Sequence, residues 1–263
     1  MSKIEHRAKK RFGQNFLHDE NVVQKIIHAI NPQADDHLVE IGPGLGALTS
    51  PLLNLNIKLD VIEIDRELII QLRNKFAPKE NFIIHEHDAL KFDYASISAN
   101  KIRVIGNLPY NISTPLLFNL LGYSKNIQDL TFMLQKEVID RICAVPGNKQ
   151  YGRLTVMLQY HCAVEKLFIV KSGAFNPAPK VDSAVVKLVP KTTADKEVKD
   201  PVLFSALVSD AFSQRRKTLR NSLGNFLTEE QIKELDINPT LRPEMLTVNE
   251  FVSLANLASQ YRE

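Results

Sequence analysis

The chain has 263 residues, of which 44% are hydrophobic and 24% charged, which is typical of a soluble globular protein with a sizeable core. Its two cysteines cannot form a disulfide framework, and no apolar run approaches the ~18 residues of a transmembrane helix. The basic start has no apolar signal core behind it, so we expect a cytoplasmic protein without a membrane partner. The net charge of +3 does not by itself indicate nucleic acid.

The charge is unevenly distributed along the chain. Residues 1–11 carry a net charge of +4, residues 12–135 carry −4, residues 136–187 carry +4 and residues 188–263 carry −1. Within the last stretch, residues 215–220 hold four basic side chains and no acid. Separated basic segments that converge in a fold would form a phosphate-binding face. Each cluster taken singly is more simply a solvated surface, so a second argument is needed.

Helical and extended patterns alternate from residue 21 onward. Asn21 is the expected cap of a first helix, which ends at Asn31 before Pro32. Strands are predicted at residues 37–41, 58–65, 81–87, 101–107 and 129–135, and a helical pattern follows each of them except 81–87. This alternation predicts an α/β fold, with a parallel Rossmann-like sheet and helices on both faces.

The pattern changes after residue 150. Residues 151–162 are predicted as a helix and residues 164–171 as a strand, and residues 182–190 alternate as in an antiparallel edge pair. Residues 191–200 are polar and charged, as expected of a linker. The remainder is helical in pattern, so we expect one domain over residues 1–190 and a small all-helical C-terminal domain over residues 191–263.

A glycine-rich turn, Gly42-Pro43-Gly44-Leu45-Gly46, joins the first strand of the sheet to its helix. Glycine there permits positive φ and a close approach of ligand to the main chain. Two acids follow the next strands: Glu63 is placed to bind the ribose hydroxyls of a nucleoside, and Asp88 to accept a hydrogen bond from an adenine amino group. Asp88 could instead cap a turn.

The spacing and charge of this region distinguish two nucleoside cofactors. Dinucleotide-binding folds have G-x-G-x-x-G, whereas this turn is G-x-G-x-G. Glu40, Glu63 and Asp88 make the pocket acidic, which repels a pyrophosphate and suits a cation. We therefore favour S-adenosylmethionine, a nucleoside with a sulfonium, over NAD, and give Glu40 a supporting role. An NAD-dependent oxidoreductase stays as an alternative.

Asn107-Leu108-Pro109-Tyr110 follows the fourth strand, at the edge where open α/β sheets bind ligands. An adenine amino group is a poor nucleophile because its lone pair is delocalised into the ring. The Asn107 side-chain oxygen and a backbone carbonyl near Pro109 could hold its hydrogens and direct the lone pair at a methyl donor. Tyr110 offers a face on which an extruded base can stack. Phe175, in a proline-rich loop, is either a second stacking platform or a core residue.

These motifs together resemble the bacterial small-subunit ribosomal RNA adenine dimethyltransferases. The likeness covers nearly the whole chain: F-G-Q-N-F-L at 12–17, the glycine turn, N-L-P-Y at 107–110, the proline-rich segment at 175–183, and R-R-K-T-L-R-N at 215–221. It implies dimethylation, dependent on S-adenosylmethionine, at N6 of two adjacent adenosines in the 3′-terminal hairpin of 16S ribosomal RNA. It also implies action on immature small subunits and a role in checking their assembly.

The resemblance assigns roles to residues by motif. The implied cofactor contacts are Asn15, Leu17, Gly42, Gly44, Glu63, Asp88 and Asn107, and the implied catalytic residues are Asn107, Leu108, Pro109, Tyr110 and Phe175. With the charge clusters, it implies RNA contacts by Arg7, Lys9, Lys10, Arg11, Lys180, Arg215, Arg216, Lys217 and Arg220. Residues 1–190 are then the catalytic domain, in which residues 1–20 are a basic arm and a cofactor-covering segment. Residues 191–263 recognise RNA or the ribosome, and we expect a monomer.

Two other readings stay open. A related family dimethylates a large-subunit adenine and confers macrolide resistance, although the proline-rich segment and the basic helix favour the small-subunit assignment. A non-catalytic assembly factor could retain the fold, against which the intact N-L-P-Y motif argues. His85, His87 and Asp88 are too few ligands for a metal site, so we expect no metal.

Overall fold

The computed structural model describes residues 9, 13–76, 79–192, 197–214 and 216–261. The chain divides into two compact units. The first consists of the chain up to Ile139 together with Glu165–Pro190, and the second of Asp140–Val164 together with the chain from Lys191 onward. The predicted basic arm, apart from Lys9, lies largely outside the described residues, as do residues 193–196 of the predicted linker.

Short strands and helices alternate over the first two thirds of the chain, and helices follow. The strands are β1 (Phe16–Leu17), β2 (His37–Ile41), β3 (Lys58–Glu63), β4 (Phe82–Glu86), β5 (Ile102–Asn107), β6 (Ile127–Gln135), β7 (Cys162–Val170), β8 (Phe175–Asn176) and β9 (Ser183–Pro190). The helices are α1 (Glu20–Ile30), α2 (Thr49–Leu53), α3 (Arg66–Phe76), α4 (Ser113–Leu121), α5 (Lys136–Ile142), α6 (Arg153–His161), α7 (Pro201–Ala211), α8 (Leu219–Ser222), α9 (Glu229–Lys233) and α10 (Val248–Gln260).

Seven strands form one mixed sheet in the order β4-β3-β2-β5-β6-β9-β7. The strands from β4 to β6 are parallel, and β9 runs antiparallel to β6. All five residues of β2 are buried, so both faces of the sheet are covered there. The predicted α/β class is confirmed. The antiparallel pattern predicted for residues 182–190 is confirmed in β9, which pairs with β6; the first four residues of β9 are buried, and the half-exposed strand β7 lies beside it at the end of the sheet.

Helix α1 begins two residues earlier than the sequence pattern predicts. The side chain of Asp19, and not that of Asn21, caps it by accepting hydrogen bonds from the backbone N–H groups of Asn21 (2.9 Å) and Val22 (3.2 Å). The helix ends as predicted at Asn31, whose φ of 48° is left-handed. Asp19 and Asn21, two residues apart, are both chemically able to cap, and the carboxylate of Asp19 does so.

Gly106 in β5 brings that strand very close to β2. A Cβ atom at residue 106 would lie 2.5 Å from the carbonyl oxygen of Ile41, so only glycine fits. The contact places Asn107, the last residue of β5, beside the glycine turn that follows β2. The motif that we assign to chemistry is therefore positioned by main-chain packing.

The second unit is built around three helices, α6, α7 and α10, which contact one another. The predicted domain boundary at residue 190 is only partly right, because residues 140–164 group with the C-terminal helices. The reason is the fully buried apolar side chains of α6, Val156 and Leu158, and of α7 and α10, Leu207 and Phe251. Within the described ranges, no helix has the length and apolar character that crossing a membrane requires.

Candidate active site

A pocket of about 250 Å³ lies at the carboxyl edge of the parallel strands. The turns after β2, β3, β4 and β5 line it, together with residues 13–17. It brings together ten predicted site residues: Asn15, Leu17, Gly42, Gly44, Glu63, Asp88, Asn107, Leu108, Pro109 and Tyr110. Residues far apart in the chain meet here because parallel strands end at one edge of a sheet.

Two glycines shape the floor of the pocket. Gly42 and Gly44 have φ values of 65° and 58°, which strain any residue with a Cβ atom. A Cβ atom at Gly42 would meet nothing within 4 Å, so the backbone there faces open space in which a ligand can approach it. At Gly44 the added atom would lie 3.1 Å from the ring of Phe16. One glycine thus leaves room for a ligand, and the other for the segment that covers the pocket.

Glu63 is held by the main chain that follows it. Its Oε1 atom accepts hydrogen bonds from the backbone N–H groups of Ile64 (2.8 Å) and Asp65 (2.9 Å). The side chain is 7% exposed, and burial raises its pKa above the ordinary value. The carboxylate is therefore fixed in place at the end of β3, as a group that binds two ribose hydroxyls must be.

Glu40 lies below the glycine turn and is only 2% exposed. Burial, with a contribution from the charge of Glu63, raises its pKa to about 7, although a hydrogen bond from the Thr49 hydroxyl (2.6 Å) opposes the shift. Glu40 is thus about half protonated at neutral pH. The pocket is acidic, but it carries less than the three full charges that the sequence suggests.

Asp88 caps a turn and also lines the pocket. Its Oδ1 atom accepts a hydrogen bond from the backbone N–H of Leu90 (3.0 Å), which is the bond of a turn cap. The same residue lines the pocket and is partly exposed there. The cap bond fixes the orientation of the carboxylate, and its contact with a cofactor stays a prediction.

The side chain of Asn107 is oriented by the N-terminal segment. Its Nδ2 atom donates a hydrogen bond to the carbonyl oxygen of Asn15 (3.1 Å), which leaves Oδ1 as an acceptor for another group. The backbone N–H of Leu108 donates to Met133 in β6 (3.1 Å), and that of Ile112 donates to Pro109 (3.2 Å). The 107–110 turn is thus attached to the sheet and closed on itself.

The Tyr110 side chain is half buried, and its hydroxyl lies 3.1 Å from the Oγ atom of Ser183 at the start of β9. Burial raises the pKa of the Tyr110 phenol, and the bond with Ser183 opposes that rise. Ser183 was not among the predicted site residues, although it ends the proline-rich motif at 175–183. Its place in that motif was the sequence feature from which Ser183 could have been predicted as a site residue.

The segment at 13–17 is attached to the rest of the unit at two places. Strand β1 pairs with β8, with Leu17 opposite Phe175. Near its beginning, the Gln14 amide donates a hydrogen bond to Asp65 (3.1 Å). The ammonium of Lys9, which precedes the segment, also contacts Asp65 (2.8 Å) and Glu67 (2.9 Å). Lys9 differs from the expectation of an RNA contact, because its charge is committed to two carboxylates.

Phe175 is not among the residues that line the pocket. It is 3% exposed and belongs to the hydrophobic core that includes Leu17 and Val185. The sequence left open whether Phe175 is a stacking platform or a core residue. In this structure Phe175 is a core residue, and its ring has no exposed face on which a base could stack. Pairing of the flanking backbone with β1 turns this side chain inward.

The predicted RNA contacts lie mostly at the surface or outside the described residues. Lys180, Arg216 and Lys217 are exposed, and Arg220 is exposed but lies 3.6 Å from Glu229. Four others, Arg7, Lys10, Arg11 and Arg215, lie outside the described residues. Among the residues that the structure describes, no group of three or more His, Cys, Asp and Glu side chains is arranged to hold a metal ion.

Comparison with known protein families identifies this arrangement. The family described as ribosomal RNA adenine dimethylase matches residues 5–260. The chain belongs to this family. A Pseudomonas aeruginosa relative named ribosomal RNA small subunit methyltransferase A is 54% identical over 254 residues, which are 96% of this chain and 95% of the relative. One of the same name from Marinobacter nauticus is 53% identical and covers 96% of this chain and 92% of itself.

Two solved structures share the fold over nearly the full length. A dimethyladenosine transferase from Plasmodium falciparum is 29% identical with a TM-score of 0.78, covering 91% of this chain and 95% of that one. The 23S rRNA methyltransferase ErmE is 24% identical with a TM-score of 0.73, covering 94% of this chain and all of that one. The second likeness shows the fold alone. The methyltransferase sheet predicted from the sequence is confirmed.

Members of the ribosomal RNA adenine dimethylase family use S-adenosylmethionine as methyl donor, and the pocket fits that group. Open space over the Gly42 backbone provides room for a ligand. The fixed carboxylate of Glu63 suits ribose hydroxyls, Asp88 suits an adenine amino group, and the acidic surroundings suit a cation. A pyrophosphate, which a dinucleotide would bring, finds no lysine or arginine side chain among the described residues that line the pocket.

We expect Glu40→Gln to make the protein increasingly more stable than the unmodified chain as the pH rises. The pKa of Glu40 is near 7 in the folded protein and near 4.5 in the unfolded chain. Ionisation of Glu40 therefore increasingly opposes folding as the pH rises through the range between these two values. The difference in free energy of unfolding should grow by about 3 kcal/mol between pH 4 and pH 8. Denaturant unfolding of both proteins at several pH values measures it, and a pH-independent difference would contradict the shifted pKa.

We expect Glu63→Ala to weaken binding of S-adenosylmethionine by about 10- to 100-fold, since hydrogen bonds to a charged group are lost. Isothermal titration calorimetry measures the affinity. Glu86→Ala is the matched control, because Glu86 is the exposed residue opposite Glu63 in the β3–β4 register. Equal affinities for all three proteins would remove Glu63 from the cofactor site.

Proposed function

We propose that the chain dimethylates N6 of two adjacent adenosines in the 3′-terminal hairpin of 16S ribosomal RNA, acting on immature small subunits. The observation that carries this proposal is the Asn107 side chain, which lines the acidic pocket in the same turn as Tyr110. Its Nδ2 atom is bonded to the Asn15 carbonyl, which leaves the Oδ1 atom to accept from a substrate. The names of relatives that are 52–54% identical over nearly the whole chain support the small-subunit substrate.

In each transfer the adenine nitrogen would form a bond to a methyl group, whose bond to sulfur would break so that a neutral thioether leaves. S-adenosylmethionine supplies that group on a sulfonium, which makes it electrophilic. The Asn107 Oδ1 atom accepts a hydrogen of the adenine amino group, and we assign the second hydrogen to the carbonyl of Leu108, which Pro109 holds in position. These contacts favour a pyramidal nitrogen and stabilise its developing positive charge. The nitrogen then loses a proton to solvent, so positioning and electrostatics suffice without a strong base.

Asn107 and Tyr110 divide the work of holding the base. The Asn15 carbonyl bonds to the Asn107 amide nitrogen, so the amide oxygen is presented in one orientation before substrate arrives. Tyr110 stacks on the extruded adenine, which offsets the energy of taking that base out of its helix. The core position of Phe175 leaves Tyr110 as the aromatic platform of this proposal.

The other readings of the sequence are weaker. The likeness to ErmE supports a shared fold and says nothing about a large-subunit substrate. An oxidoreductase is disfavoured by the acidic pocket, and a purely structural assembly factor has no need of an oriented Asn107 amide.

We also propose that the second unit recognises ribosomal RNA, with the predicted first domain as the catalytic one. The exposed cations Arg216, Lys217 and Arg220 support a phosphate-binding role for that unit, and the exposed Lys180 of the first unit adds a further proposed RNA contact. The basic residues near the chain start, Arg7, Lys10 and Arg11, complete the proposed RNA contacts. We propose a cytoplasmic monomer, since ribosome assembly takes place in that compartment.

The substitution Asn107→Ala should lower methyl transfer by about 100- to 1,000-fold, which is the usual effect of removing one preorganised group that stabilises developing charge. Single-turnover assays on immature small subunits, followed by mass spectrometry of the nucleosides, measure the rate and identify the product. Binding to the subunit should stay within about twofold. Near-normal turnover would contradict the proposed role of Asn107, and methylation of large-subunit RNA alone would contradict the proposed substrate.

Replacing both Arg216 and Lys217 by alanine should weaken subunit binding and flatten its salt dependence. Each lost phosphate contact lowers the slope of log affinity against log salt by about 0.7 to 0.9. Lys58→Ala with Lys101→Ala is the control, since both are exposed lysines outside the predicted clusters. Binding measured at several salt concentrations gives the slope, and equal slopes for both double variants would leave residues 216 and 217 as solvated surface.

A further inference from the structure

The structure assigns Ser183 a positioning role: its hydroxyl fixes the Tyr110 ring in the orientation that receives the extruded adenine. This inference rests on the proposed function, because it extends the role of Tyr110 in that site. It concerns a residue outside the pocket lining, which acts on the substrate only through the tyrosine.

The contact joins a pocket residue to a buried, paired position of the sheet. Ser183 is 1% exposed and begins β9, where it pairs with Gln135 of β6. The preceding residue, Asp182, accepts a backbone hydrogen bond at its carbonyl from Lys136 (3.0 Å). The Asp182 carboxylate also accepts bonds from the Lys171 ammonium (2.8 Å) and the backbone N–H of Ser172 (3.3 Å). Ser183 therefore has a fixed backbone on both sides.

The Ser183–Tyr110 bond is placed where it controls the ring. The phenol oxygen lies on the long axis of the tyrosine ring, so a bond at 3.1 Å fixes the direction of that axis. The other end of the residue is also held, because the Tyr110 carbonyl accepts a bond from the Ser113 hydroxyl (3.2 Å). With both ends tied, the stacking face is preorganised and less conformational freedom is lost when the base docks.

A structural explanation of the same contact makes a different prediction. If the bond only satisfies a buried serine, its loss should lower stability and leave catalysis unchanged in the folded protein. If it positions the platform, its loss should lower kcat for the RNA substrate while the KM for S-adenosylmethionine stays the same, because the cofactor contacts are untouched.

A double-mutant cycle tests the inference with Tyr110→Phe and Ser183→Ala, which remove the two sides of one bond. Each single variant should lower kcat on immature subunits about 3- to 10-fold, the range of one neutral hydrogen bond. The double variant should be no slower than the slower single variant, because the bond is already absent. Unchanged kcat in the single variants, or effects that multiply in the double variant, would overturn the inference.

Two further measurements separate this inference from the proposed function. Tyr160→Phe is a matched control with normal kcat expected, since it removes a tyrosine hydroxyl that accepts one backbone bond from Val198 (3.1 Å) in the second unit. Tyr110→Ala should lower kcat more than Tyr110→Phe. An inactive Tyr110→Ala with a fully active Tyr110→Phe and Ser183→Ala refutes only the role of Ser183, whereas a fully active Tyr110→Ala refutes the stacking role itself.

A direct signal of base docking comes from RNA with 2-aminopurine at the first target adenosine. Its fluorescence changes when the base leaves the RNA stack and packs on an aromatic ring. Ser183→Ala should shift the fluorescence of the bound complex toward that of Tyr110→Ala. A spectrum identical to that of the unmodified protein would mean that the ring keeps its position without the bond.

Discussion

The close contact of β5 with β2 at Gly106 is the constraint on which the site depends. The absence of a side chain lets the backbone approach the Ile41 carbonyl, so both strands end at the same level of the sheet. Asn107 then leaves β5 beside the turn at Gly42, and the parallel register brings the end of β3 into line with them. Main-chain packing in the sheet thus places the Asn107 amide, which we propose as the catalytic acceptor, next to the glycine turn.

A second set of contacts couples the covering segment to the chemistry. The carbonyl of Asn15 orients Asn107, and the segment containing it is attached to β8 on one side and to Asp65 on the other. Burial alone would raise the pKa of Asp65, but the bonds from Lys9 and Gln14 lower it, which keeps this carboxylate charged and able to hold the segment. The segment at 13–17, which lines the pocket, therefore also orients the Asn107 side chain that we propose as the acceptor for the substrate.

The sequence correctly predicted the features that depend on the local pattern of residues and on the shared edge of parallel strands. The strand at His37–Ile41 has its predicted bounds, and the pocket residues from Asn15 to Tyr110 converge because parallel strands share an edge. Features that depend on distant partners were not predicted. The buried Arg103 bonds to Asp129 at 2.9 and 3.0 Å, 26 residues away, and nothing in the periodicity indicates that pair. The inward turn of Phe175 likewise depends on pairing with β1, 158 residues earlier in the chain.

The acidic charge of the pocket illustrates why a count of residues overstates an electrostatic field. The carboxylates of Glu40 and Glu63 raise each other's energy when both are ionised, and burial removes the water that would screen them. The chain limits this cost in two ways. Backbone N–H groups hold the charge of Glu63, and Glu40 keeps a proton half of the time at neutral pH. A cation that enters the pocket favours the ionised form of Glu40, so the same burial that opposes an empty acidic pocket strengthens its attraction for a sulfonium.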